Sequence, residues 1–327
     1  MTRIAGHMMF LLFVIGLLIA GAALWFLVTQ PVLPTTVVGK AVLVDPARLE
    51  THVRKLSETF FPRDWLHPEN LDRAAAYVQD QFVKTGTSVS EQPFQVAGNT
   101  YRNVIAVFGP DTKERIVVGA HYDAFGELPG ADDNASGVAG LIELAHLLGK
   151  TSLPMRVELV AFTLEEPPHF RTSNAGSAVH ATSLRKQGVP VRFMISLEMI
   201  GYFKDAEGSQ RYPLSLLRFL YSPRGDFAVV VGKLDGGSIV RQVKSAMRGA
   251  STLPVYSFSG PKFIPGIDWS DHLNYWEAGY KAVMVSDTAI YRNANYHTAQ
   301  DTADTLDYHR MAMVVQGVYQ AVVAATK

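Results

Sequence analysis

The chain has 327 residues, 48% hydrophobic and only 18% charged, with 30 Lys and Arg balanced by 30 Asp and Glu, 10 His and no Cys. That length allows one large α/β domain or two small ones, and zero formal charge gives no electrostatic footprint for nucleic acid. Without Cys, thiol nucleophiles, thiolate zinc sites, iron–sulfur clusters and disulfide scaffolds are excluded, so any metal must be held by His, Asp and Glu.

Met8 to Val28 reads MMFLLFVIGLLIAGAALWFLV, without a charge. As a helix it would be about 31 Å long, enough to cross a bilayer core. Arg3 precedes it and Trp25 lies near its far end, at a position that favours the lipid interface. The run is longer than a usual signal h-region and no clean A-x-A site follows, so residues 8–28 are expected to be an uncleaved signal anchor contacting the bilayer. The positive-inside rule leaves residues 1–7 in the cytoplasm and the bulk of the chain outside it, periplasmic or extracellular. Residues 29–45, beginning with the stalk-like QPVLP, form a linker to a domain at 46–327.

In that domain helical spacing covers Asp45–Phe60 and Pro68–Gly86, the latter through Leu71, Ala74, Val78 and Phe82. Strands are expected at Ser88–Phe94, Tyr101–Phe108 and Arg115–Ala120, then a helix at Ser136–Gly149 and a strand at Met155–Leu164. A helix at Gly176–Gly188 and a strand at Val191–Met199 follow. Phe227–Gly232, Ser238–Gly249 and Val255–Phe258 repeat strand, helix, strand. Lys281–Ser286 is a last strand and His309–Ala325 a final amphipathic helix. The alternation implies an α/β fold with a mostly parallel central sheet and helices on both faces. Residues 203–223 lack periodicity and read as a long surface loop, within a 203–265 region that could form a lid.

Leu144 occupies the place of the leading glycine that a phosphate loop ending in Gly149-Lys150-Thr151 would need. Neither an HExxH zinc helix nor a GxSxG elbow occurs. What remains is a set of His and carboxylates at strand ends, where open α/β sheets place their sites. The strand Arg115–Ala120 runs into His121-Tyr122-Asp123, and alternation puts His121 and Asp123 on one side; one can ligate a metal while the other fixes the imidazole. Asp132 and Asp133 crowd a helix start, where a cap would need only one of them. Glu165-Glu166 closes the strand Met155–Leu164, so one can bind a metal and its neighbour shuttle a proton. Glu198 lies in an apolar strand, costly unless paired or coordinated. His297 follows the last strand after a polar loop.

With these pieces in place, the sequence resembles the co-catalytic zinc aminopeptidases, whose relatives include glutamate carboxypeptidases and glutaminyl cyclases. The resemblance covers nearly all of 46–327 and is carried by HYD at 121–123, GADDNASG at 130–137, EE at 165–166, SLEMIGY at 196–202, SDH at 270–272 and YHTAQDT at 296–302. By position it implies two Zn²⁺ per chain, one on His121 and Glu198 and the other on Glu166 and His297, with Asp133 bridging. It implies Glu165 as general base and Asp123 as the group orienting His121. The implied activity is that of a zinc exopeptidase, an aminopeptidase acting on peptides with a free N-terminus, which the apolar run at 8–28 would anchor to the membrane.

Two departures from the family pattern stand out. Many relatives have Asp where this chain has Glu198, and some place an oxyanion-stabilising Tyr before SDH where this chain reads Gly266-Ile267-Asp268-Trp269. Neither Tyr202 nor His272 is assigned that role. The alternatives are a glutaminyl cyclase-like single-zinc transferase, against which Tyr296 and the DNASG run count, and a non-catalytic ectodomain of the same fold.

Overall fold

The structure is a computed structural model and describes residues 2–33 and 44–327. Residues 34–43, most of the expected linker, lie outside the described residues. In chain order the helices are α1 (Thr2–Thr29), α2 (Pro46–Arg54), α3 (Pro68–Val83), α4 (Gly137–Leu148), α5 (Gly176–Lys186), α6 (Gly237–Arg248), α7 (His272–Glu277) and α8 (Tyr308–Ala325). The strands are β1 (Ser88–Val96), β2 (Asn99–Phe108), β3 (Arg115–His121), β4 (Arg156–Phe162), β5 (Val191–Glu198), β6 (Ala228–Lys233), β7 (Val255–Gly260) and β8 (Ala282–Ser286).

One sheet holds all eight in the order β1-β2-β4-β3-β5-β8-β6-β7. The neighbours β4/β3, β3/β5, β5/β8 and β6/β7 are parallel; β1/β2, β2/β4 and β8/β6 are antiparallel. The sheet is therefore mixed around a parallel centre. Central strands such as β3, RIVVGAH, are buried on both faces beyond their first residue, whereas β1, SVSEQPFQV, is mostly exposed and forms an edge. Gly119 in β3 admits the Phe162 ring of β4, which a Cβ there would strike at 2.1 Å.

Helices cover both faces. On one, α2, α3, α4, α6 and α8 pack Leu49, Leu71, Val138, Val240 and Val315 over the sheet. On the other, α5 and α7 bring Leu184, Leu273 and Trp276 against Val117, Val160 and Met194. Asp45 accepts a hydrogen bond from the Ala47 amide and Asp307 one from the Arg310 amide, so each caps the helix that follows. The first expected helix is α-helical only to Arg54 and finishes as a wider turn at Lys55–Thr59. The six-residue α7 was not expected, being too short for periodicity to register. Residues 203–223 lack strands, apart from a bridge between Lys204 and Gly225, but do not simply lie over the surface: Leu217 is buried.

α1 contains a 23-residue stretch, His7–Thr29, long and apolar enough to cross a membrane, and its central window is not buried against the domain. Its end is: Thr29 and Gln30 are both buried.

Candidate metal centre

The register aligns the carboxyl ends of the parallel strands. His121 stands opposite Phe162, three residues before Glu165, and Glu198 stands opposite Ser286. Side chains 121, 165, 166 and 198 therefore meet at one edge, and the loop after β8 delivers His297 to the same place. The residues flanking the ligand candidates carry backbone strain. Leu164, Met199 and His297 itself have φ of 59°, 47° and 53°, a region that non-glycine residues occupy at a cost near functional sites.

Asp133 lies at the middle of the cluster. Its Oδ1 is 3.4 Å from His121 Nε2 and its Oδ2 is 3.1 Å from His297 Nε2. Glu198 Oε2 is 3.3 Å from His121 Nε2, and Glu166 Oε1 is 3.3 Å from His297 Nε2. Glu165 stands beside them, its Oε2 3.9 Å from His121 Nε2. His121, Asp133 and Glu198 can offer ligand atoms within 4.8 Å of one another, and so can Asp133, Glu166 and His297. All five residues named as ligand candidates, with Glu165, are thus brought together.

The DNASG run explains how Asp133 is aimed. Asp301 accepts the amides of Asp132 and Asp133, at 3.0 and 3.1 Å. Asn134 donates to the Leu197 carbonyl and accepts the Gly137 and Met199 amides, which ties the start of α4 to the end of β5. Ser136 accepts the Ile200 amide, and Asp132 accepts the Gly201 amide and the Asn293 side chain. Residue 137 must be glycine, because a Cβ would meet Asn134 Oδ1 at 2.4 Å. The peptide between Asp133 and Asn134 is cis.

Asp123 accepts the amides of Glu165 and Glu166, at 3.1 and 3.0 Å. Its carboxylate is 3.6 Å from His121 Nδ1, whose closer partner is the Asp123 backbone carbonyl at 3.2 Å. Asp123 therefore fixes the glutamate pair at least as firmly as the imidazole. Glu198 accepts from Ser270 at 2.7 Å, and Ser270 in turn contacts Ser196 at 2.8 Å. That pair steadies the longer glutamate arm.

Sequence reasoning missed three contributors. Arg63, fully buried, donates to the carbonyls of Leu56, Tyr122, Pro129 and Gly130, pinning together the two loops that carry Asp123 and Asp133. A lone arginine after a proline gives no signal for that. Phe125 stacks on the His297 ring with centroids 4.1 Å apart, and Tyr296 stacks on it at 3.8 Å. Asp301 lay inside the quoted HTAQD run, but only the fold shows what it holds. His272 stays out of the cluster, its ring contacting the Ile267 carbonyl.

Charge is the dominant stress. Burial lifts Glu165 well above the usual carboxylate range and Glu166 up to about 8. Burial also opposes ionisation of Asp133, but the neighbouring imidazoles of His121 and His297 outweigh it and hold that carboxyl below its usual value. Burial works against a proton on His297, yet Asp133 and Glu166 raise it to about 10. Four carboxylates face two imidazoles, and among the described residues His121 Nε2, His297 Nε2 and Glu166 Oε1 are buried without a hydrogen-bond partner. Buried charges and orphaned donor atoms of this kind are what divalent cations satisfy. The donor set, nitrogen and oxygen only, fits zinc.

Beside this cluster opens a cavity of about 250 Å³ with Glu165, Glu166 and Glu198 at its base and Leu217, Phe227, Tyr256, Phe258 and Trp269 on its walls. One half of the cleft is charged, the other aromatic and aliphatic.

A family model described as peptidase family M28 matches residues 103–322. This chain belongs to that family. It is 49% identical over 281 residues to an uncharacterized protein, YfbL, of Escherichia coli (strain K12), covering 84% of this chain and 86% of that one. Its fold is similar to that of a zinc aminopeptidase from Bacillus subtilis, with a TM-score of 0.70 at 15% identity over 88% of this chain and 96% of the other. It is also similar to a glutaminyl cyclase from Bacteroides thetaiotaomicron, with a TM-score of 0.66 at 20% identity over 87% and 99%. The family supports a hydrolase of aminopeptidase-like fold.

Proposed function

We propose that the protein is a membrane-anchored zinc aminopeptidase. One Zn²⁺ would be held by His121 and Glu198, the other by Glu166 and His297, with Asp133 shared. The observation that carries this reading is the position of Asp133, one oxygen toward each histidine. When bound, the ion pair supplies positive charge that polarises the scissile carbonyl and acidifies the attacking water. Glu165, whose burial makes its ionised carboxylate a stronger base, takes a proton from the attacking water and delivers it to the leaving amine. The oxygens of Glu165 and Glu198 accept the substrate's free amino group, and the apolar cavity receives the side chain of the amino-terminal residue, which favours large hydrophobic ones. Residues 8–28 serve as the membrane span, and 46–327 form the catalytic domain outside the cytoplasm.

The test is Glu165→Gln. Zinc by elemental analysis should stay near two per chain while turnover of aminoacyl substrates falls about 10²–10⁴-fold. Near-normal turnover would sink the assignment of the base. A glutaminyl cyclase reading draws on the similar fold, but the two donor triads that share Asp133 support two ions rather than one. One zinc per chain, with cyclisation of amino-terminal glutamine, would favour that reading instead.

A further inference from the structure

Residues 214–220 carry a cluster of exposed apolar side chains next to the cleft. Leu214, Leu216, Phe219 and Leu220 are 51%, 71%, 71% and 42% exposed, whereas Leu217 between them is buried in the cavity wall. Clustered exposure of large apolar side chains marks a contact surface. The segment is bonded to the strand that receives α1. Tyr221 donates to the Ser257 carbonyl of β7 at 2.7 Å, and the Ser257 hydroxyl donates to the Thr29 carbonyl at the end of α1 at 2.6 Å. Lys244 donates to that same Thr29 carbonyl at 2.7 Å, placing a cation at the negative end of the helix. Gly237 leaves room for the buried Gln30 side chain, which a Cβ would meet at 2.4 Å. Arg241 lies over the Phe26 ring at 5.0 Å, and Arg218 over Phe219 at 4.9 Å.

The end of α1 is thus built into the domain, so the domain cannot turn freely about it. If α1 spans a bilayer, its last residues lie at the lipid surface, and Tyr221 ties the patch to Ser257, the same strand residue that meets the end of the helix. Apolar side chains with Arg218 among them, joined to the strand that holds the end of α1, match the interfacial zone of anionic membranes.

We propose that residues 214–220 are a second, shallow membrane contact: Leu214, Leu216, Phe219 and Leu220 enter the lipid interface with Arg218 at the phosphates, holding the cleft mouth against the bilayer. The substrates reached this way are peptides presented at the membrane surface. The inference rests on reading α1 as a retained span.

The chain has no Cys, so single-cysteine variants of the full-length protein can carry one spin label each. Leu216→Cys and Phe219→Cys are placed in phosphatidylcholine–phosphatidylglycerol vesicles beside Leu18→Cys in α1 and Asp111→Cys, which is 92% exposed on the domain. The ratio of oxygen to water-soluble nickel-chelate accessibility should be about tenfold higher at 216 and 219 than at 111, approaching that at 18. Ratios at 216 and 219 equal to that at 111, with 18 lipid-like, overturn the second contact while leaving the anchor in place. A water-like value at 18 overturns the anchor, and the inference with it. Spin–spin broadening at 216 between copies assigns the patch to self-association and also overturns the proposal.

Discussion

The two halves of the cleft are built in opposite ways. The charged half, at the ends of β3, β4 and β5, is over-determined: Asp123 holds two backbone amides, Asp301 two more, Asn134 three groups, and Arg63 four carbonyls. The apolar half, on β6, β7 and residues 211–225, has walls of Leu217, Phe227, Tyr256 and Phe258, positioned by packing. Hydrogen-bonded carboxylates fix atoms in a geometry that chemistry can use. Packed rings fix only a volume. The first half should therefore govern whether the reaction occurs, and the second which peptides undergo it.

The largest effect that would break this contrast is in the charged half. Arg63→Met removes the side-chain donor to the Leu56, Tyr122 and Pro129 carbonyls, Gly130 keeping the Ala135 amide, and should lower stability by about 3 kcal/mol, read as a shift in the chemical denaturation midpoint. An unchanged midpoint would show that the two loops hold themselves together. Asp123→Asn turns an amide donor toward the Glu165 or Glu166 N–H, and should cost roughly 10–100-fold in zinc affinity or activity across all substrates with the fold retained. A loss confined to a few substrates would contradict the division of labour.

In the apolar half Phe258→Ala should reduce kcat/KM about tenfold for large hydrophobic amino-terminal residues. It should hardly change the value for alanine, and zinc content should stay constant. Uniform loss would mean that the wall supports the ligands. The mildest probe is acid. Burial holds His180 down to about 4 where it contacts the Tyr275 hydroxyl. The unfolded chain takes up that proton first, so stability is complete above about 6.5 and falls between 6.5 and 4, by up to about 1.4 kcal/mol per pH unit. Thermal scans at pH 7 and pH 5 should show the loss, and His180→Phe should reduce it by about half, because burial holds His272 down to about 4 as well. An equally steep acid loss in that variant would locate the titration elsewhere.

The sequence disclosed the charged half because its parts are short and sequential. His121 and Asp123 are two residues apart, Asp132 to Gly137 are continuous, and Glu165 and Glu166 are adjacent at the end of an apolar run. Period and composition suffice to set such pieces on strand ends. All eight strands were visible for the same reason, though the antiparallel joins of β8 to β6 and of β2 to β4 were not, since pairing direction leaves no local trace. The apolar half was opaque: Leu217, Tyr221 and Tyr256 converge from a loop and an edge strand, and nothing in residues 203–223 distinguishes a cavity wall from surface. Arg63 and Phe125 were invisible because each acts on residues brought near only by folding.

Asp133 has one consequence for how such a site fills. A single carboxylate serves both triads, so an ion seated on His121 and Glu198 would set the plane of the very group the second ion must use. Loading would then be sequential, with the first arrival preparing the second seat. A zinc titration of the wild-type protein would follow a curve that neither triad, with its partner disabled, could reproduce alone.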